Sequence, residues 1–89
     1  MIAILTVTGL DHKGIIAAVA GRLSDLDVNI VNVSQAIMGD YFTMIMRCEL
    51  DAASRSLEQV QRDLEQVGAS QQVTVRLQSE AIFQAMHEV

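Results

Sequence analysis

At 89 residues, 51% of them apolar, the chain is long enough for one packed core and too short for two. A net charge of -5, with six Lys and Arg scattered along the chain, argues against a domain that grips DNA or RNA directly, because such affinity rests on neutralising phosphates. No apolar run approaches the roughly 20 residues of a membrane helix and no basic-then-apolar leader precedes the first strand, so the expectation is a soluble cytoplasmic protein without membrane contact.

Residues 2–8 alternate Ile2, Ile4, Thr6 and Thr8 with Ala3, Leu5 and Val7, a period of two that predicts strand β1. A polar connection follows, Gly9-Leu-Asp-His-Lys-Gly14, in which Gly9 is expected to take a positive φ on leaving the strand and Gly14 to open a helix. Ile15, Val19, Leu23 and Leu26 then fall on one face of helix α1, about three turns long, with Asp25, Asp27 and Val28 marking its exit. Residues 28–38 carry no charge and no proline and read as strand β2. Gly39 and Asp40 make a tight turn with positive φ at its first central residue, and residues 41–50 return as β3 in an antiparallel hairpin.

Ser54 or a near neighbour is the expected cap of helix α2, whose inner face is Leu57, Val60, Leu64 and Val67 and whose stop is Gly68. Val73, Val75 and Leu77 alternate with Gln72, Thr74 and Arg76 as β4. A short helix α3, about 80–88, presents Ile82, Phe83 and Met86. The order β-α-β-β-α-β with right-handed crossovers predicts an α+β ferredoxin-like sandwich, sheet order 4-1-3-2, with both main helices on one face. The chain reads as one domain, 1–89, with a core of about 1–78 and a C-terminal helix of about 79–89.

Few residues invite chemistry. The Gly-x4-Gly spacing of Gly9 and Gly14 resembles a phosphate loop, but Ile15 and Ile16 stand where Lys and Ser or Thr would hold phosphates and magnesium. The glycines therefore serve either the turn alone or a backbone-lined anion pocket at the start of α1. Asp11 and His12 lack a Ser, Cys or second carboxylate placed to complete a catalytic set, and His12 is expected to face solvent. His87 reads as a partner for carbonyls at a helix end. Two isolated His and one Cys make no zinc site, so neither metal nor cofactor is expected. Cys48 cannot form an internal disulfide and shares a strand face with Met44 and Met46, where a buried thiol is expected. Met38, Met44, Met46 and Met86 all read as core filler. An RNA-binding sheet shares this element order, but Tyr41 and Phe42 are adjacent and so face opposite ways.

Strand β2 is the remaining signal. An uncharged edge strand is a pairing template, and its simplest cover is the same strand of a second copy about a two-fold axis.

At Gly9-Leu-Asp-His-Lys-Gly-Ile15, followed by Leu26-Asp-Val-Asn-Ile30, the chain resembles an ACT domain, the small regulatory module that binds amino acids, and the likeness in element order runs its whole length. Its ending, Ile82-Phe83-Gln-Ala-Met86-His87, resembles free-standing single-ACT bacterial proteins related to the paired-ACT regulators of glycine cleavage. The resemblance implies an amino-acid effector between two domains, held by the β1-α1 loop and the start of β2. Asp11 and Asn29 match the polar contact positions and Gly14 and Ile15 the helix opening. The expected ligand-binding set is Asp11, His12, Lys13, Gly14, Ile15, Asn29 and Ile30. Lys13 stands where many members carry Pro, and Asp11 where others carry Asn. The combined reading is a non-enzymatic homodimer, paired through residues 28–38, that senses a small amino acid or related metabolite and passes the signal to an unidentified protein. The alternative is a dimerisation or docking module that binds no ligand.

Overall fold

The structure, a computed structural model, describes residues 1–51 and 53–87, and of His87 the backbone only. Its elements are β1 (Ile2–Leu10), α1 (Ile15–Asp25), β2 (Asn29–Met38), β3 (Tyr41–Glu49), α2 (Leu57–Gln71), β4 (Val73–Ser79) and α3 (Glu80–His87). The strands form one antiparallel sheet in the order β2-β3-β1-β4. This is the ferredoxin-like βαββαβ arrangement with an added C-terminal helix, and β2 and β4 are its edges. Among the described residues no helix is long and apolar enough to cross a membrane.

The core lies between the sheet and the two longer helices. Ala3, Leu5 and Val7 of β1, Phe42, Met44, Met46 and Cys48 of β3, and Val73, Val75 and Leu77 of β4 meet Ile15, Val19 and Leu23 of α1 and Val60, Leu64 and Val67 of α2. Strand β3 alternates exposed and buried residues without a break, as a central strand with one covered face must. Phe42 is buried while its neighbour Tyr41 is exposed.

Helix α1 closes in a Schellman arrangement. Val28 N–H donates to Leu23 O (2.9 Å) and Asp27 N–H to Ser24 O (3.1 Å), with Asp27 left-handed at φ +57°. Helix α2 is capped by Ser56, a near neighbour of Ser54. Ser56 accepts from Gln59 N–H while the Gln59 side chain accepts from Ser56 N–H, a capping box. Ser54 instead donates its hydroxyl to Asp51, 2.8 Å away. That contact, with Ala53 N–H, draws the Asp51 carboxyl below the usual carboxylate range.

Two expectations about glycine are overturned. Gly9 stays within β1 and has no positive φ; Gly14 (φ +99°) and Gly39 (φ +59°) are the glycines that do. Gly68 does not end α2, which continues to Gln71 and is capped by left-handed Gln72. Both glycines serve close approach. A Cβ on Gly9 would stand 2.7 Å from Val73 Cγ1, and one on Gly68 2.8 Å from Val73 O.

Helix α3 lies against β1 and β4, and its first residue, Glu80, meets Arg47 on the face of β3 that the two longer helices leave open. Ser79 Oγ accepts from Ile82 N–H at 3.3 Å, and Arg47 of β3 donates to both carboxylate oxygens of Glu80, at 2.8 and 3.3 Å. Of the four methionines read as core, Met44 and Met46 are buried, but Met38 is 79% and Met86 58% exposed, because one sits at a strand end and the other on the open side of α3.

Strand β2 behaves unlike the others. Its register with β3 slips at a bulge between Ile30 and Asn32, so Ile30 shares the helix face with Cys48, and Val33, Gln35 and Ile37 share it with Met46, Met44 and Phe42. Val33 and Ile37 nevertheless remain 51% and 62% exposed, and every residue from 31 to 38 is exposed on whichever face it lies.

Candidate functional site

Residues 11–14 join β1 to α1 at the end of the sheet where Leu10 pairs with Tyr41, and Tyr41 with Met38. Asp11 N–H donates to Asp40 O at 2.7 Å, which fastens the loop to the β2-β3 turn. Gly14 occupies the N-cap in the left-handed region, where a side chain would be strained, and makes no side-chain cap. The first helical bond runs from Ala18 N–H to Gly14 O (3.0 Å), so the amides of Ile15, Ile16 and Ala17 precede the ladder. No acidic residue occupies that first turn. The opening of α1 therefore carries the positive end of the helix dipole without a carboxylate of its own helix to offset it.

Asp11, His12, Lys13 and Gly14 are exposed, and Ile15 is buried in the core. His12 faces solvent as expected, but its ring is tied to two backbone carbonyls. Its Nε2 lies 2.6 Å from Gln71 O, the last residue of α2, and its Nδ1 3.1 Å from Lys13 O. The Gln71 carbonyl first, then that of Lys13, hold its pKa above the usual 6.5. Neither Gln71 nor Asp40 was among the expected site residues. Their contacts are made by backbone carbonyls, which any residue type supplies, so the sequence carries no signal for them.

Asn29 and Ile30 sit at the other end of the sheet. Asn29 pairs with Glu49, which pairs with Ile2, whereas the loop lies beyond Met38. At about 3.4 Å per residue, the length of β2 puts roughly 30 Å between them. One chain thus brings Asp11, His12, Lys13, Gly14 and Ile15 together and leaves Asn29 and Ile30 apart. Asn29 is exposed in a shallow, mostly acidic cleft with Asp27, Glu49, Asp51 and the amino terminus, while Ile30 packs against the core. The two groups can belong to one site only if different chains supply them.

The remaining candidates have structural surroundings. Cys48 is fully buried, and loss of hydration pushes its thiol up to about 11, so it is a packing group and not a nucleophile at neutral pH. Among the described residues no group of three His, Cys, Asp or Glu is placed to hold a metal ion. The side chain of His87 lies outside the described residues.

Comparison with known proteins agrees with this fold. The chain is 49% identical over 87 residues to a UPF0237 protein of Corynebacterium diphtheriae, covering 98% of each. It superposes on an ACT domain protein from Streptococcus pneumoniae with a TM-score of 0.82, at 36% identity and 93% coverage of both chains. A putative glycine cleavage system transcriptional repressor shares the fold, with a TM-score of 0.77 at 21% identity over 86% of this chain and 44% of that one. The sequence profile of the ACT domain, a family whose members are commonly ligand-binding regulatory modules, matches residues 1–78. The chain belongs to the ACT domain family.

Proposed function

We propose that this protein is a non-enzymatic, cytoplasmic regulatory module that pairs with a second copy along β2 and holds a small amino acid, or a related metabolite, between the two chains. The observation that carries the reading is the state of β2, an uncharged edge strand whose residues 31–38 are exposed on both faces. Such a strand invites pairing. The accessible surface of 5693 Å² also exceeds the roughly 5,100 Å² typical of a folded monomer of 9.7 kDa.

Antiparallel pairing explains why the expected site residues are split. A two-fold axis at Ser34, perpendicular to the sheet, keeps like faces together and sets the Asn29 end of one copy's β2 beside the Met38 end of the other's. The partner's Asn29 then lies three strand spacings, about 14 Å, from Leu10 across the sheet, a gap that the loop and a small ligand fill together. The α1 amides suit the ligand's carboxylate. Asp11, with the acidic end of the partner's β2, suits its ammonium. A ligand bound this way favours one arrangement of the two chains over others, which is what a regulated partner protein reads.

A thermal-shift screen of the amino acids at millimolar concentration tests the reading. A ligand at 100 times its dissociation constant adds about 2.7 kcal/mol, which for a domain of this size raises the midpoint by roughly 10–20 °C. Asp11→Ala and Asn29→Ala should each remove the shift; no shift with any amino acid contradicts the sensor reading. One observation favours the docking alternative. Ile82 and Met86 of α3 are 55% and 58% exposed on one helix. A chain ending at Ser79 that loses a protein partner but keeps its ligand response would give α3 that role.

A further inference from the structure

The geometry points to His12 as a proton-operated latch: charged, it ties the β1-α1 loop to the end of α2, and neutral, it must release one of its two ties. Both ring nitrogens face backbone carbonyl oxygens, that of Gln71 at 2.6 Å and that of Lys13 at 3.1 Å. A carbonyl oxygen can only accept. Each ring nitrogen must therefore carry a hydrogen for both contacts to be hydrogen bonds, and only the imidazolium does. In either neutral tautomer one nitrogen turns a lone pair toward a carbonyl lone pair, and that contact opens.

The end of α2 supplies an independent reason for a cation here. Gln71 is its last residue, its last turn holds no basic side chain, and its final carbonyls lie beyond the helical ladder. His12 reaches in from another element to fill the place that a Lys or Arg takes at many helix ends. The surroundings do not compete. Residues 66–71 of α2, its cap Gln72 and Val73 and Thr74 of β4 include no ionisable side chain, so the charged side chains beside His12 are those of Asp11 and Lys13 in its own loop, with Asp40 beyond the loop's tie to the hairpin. The Asp11 charge acts in the same direction as the two carbonyls.

A latch at this point sets the position of the loop relative to the sheet, because the loop's other tie is Asp11 N–H to Asp40 O. If the loop contacts ligand, as proposed above, affinity changes with the protonation of His12; the latch itself does not depend on that reading. Each unit by which folding raises the His12 midpoint corresponds to about a tenfold preference of the latched form for the protonated ring.

Proton NMR titration of the unliganded protein tests the latch. The chain has two histidines, and His12→Gln assigns the pair. The His12 ring should titrate above 6.5, and the amides of Lys13, Gly14 and Gln72 should shift with the same midpoint in the native protein and lose that transition in His12→Gln. A ring midpoint at or below 6.5, or amide transitions that persist in the variant, overturns the latch. Thermal melts supply the second readout. The group's folded pKa is raised, so its stabilisation is complete below 6.5 and is lost as pH rises through the folded midpoint. The native protein should melt above His12→Gln at low pH and converge with it at high pH; a gap independent of pH contradicts the latch. Neither measurement uses a ligand, so a failed amino-acid screen leaves the latch standing, and a flat titration leaves the screen's result untouched.

Discussion

Gly9 of β1 and Val73 of β4 are cross-strand partners with no room for a methyl group between them. Val73 also presses on Gly68 through its carbonyl oxygen, so one valine sits against two glycines, one residue after the cap of α2. The helix end that receives His12 is held in place by this close approach. Gly9→Ala is expected to cost about 1–3 kcal/mol, the usual penalty of overpacking. Gly68→Ala should also destabilise, although alanine is favoured over glycine inside a helix by about 1 kcal/mol. Urea unfolding of the two variants checks both signs.

Asp27 holds a left-handed conformation at the end of α1, where a carboxylate also opposes the helix dipole. Its carboxylate is 4.0 Å from Arg55 and largely exposed, an ion pair of little value. Asp27→Gly should therefore raise stability by about 1 kcal/mol, since the non-glycine left-handed residue costs roughly that much. A lowered urea midpoint would show that the Arg55 contact matters more than the backbone.

The Cys48 thiol, pushed up to about 11 from 9.0, holds about a hundredfold less thiolate at pH 8 than an ordinary cysteine does. Burial adds a barrier to access. Alkylation of native protein at pH 8 should be at least that much slower than in urea, and comparable rates in both would place the thiol at the surface.

Ser34 lies at the middle of β2 on the open face of the sheet, exposed and opposite Ile45. Ser34→Lys should change monomer stability by no more than about 0.5 kcal/mol. In the proposed pairing it brings two ammonium groups together across the two-fold axis, so sedimentation velocity should show dissociation to monomers. A sedimentation coefficient equal to that of the unsubstituted protein would contradict pairing through β2.

Much of this architecture was legible because the period of the apolar residues changes where the elements change. The alternation in β1, β3 and β4 and the Ile15, Val19, Leu23 stripe locate the core correctly. Even the bulge in β2 leaves a trace, since Val28 and Ile30 fall on even positions and Val31 and Val33 on odd ones. The glycines misled because a sequence reports that a position tolerates unusual backbone, not whether it instead accommodates a neighbour. Gly9 and Gly68 answer to Val73, a distant residue in the first case. The site was half legible for a similar reason. Residues 11–15 are contiguous and stay together, whereas the place of Asn29 relative to them depends on strand direction and, in our reading, on a second chain.

Co-refolding of Asp11→Ala and Asn29→Ala chains, followed by calorimetric titration with the amino acid that gives the largest thermal shift, tests the shared site most directly. In the proposed dimer each variant alone lacks an intact site, but a mixed dimer would combine Asp11 of one chain with Asn29 of the other once. The account predicts that mixing restores native affinity at one site per mixed dimer. A mixture that binds no better than the separate variants would contradict a ligand held between two chains.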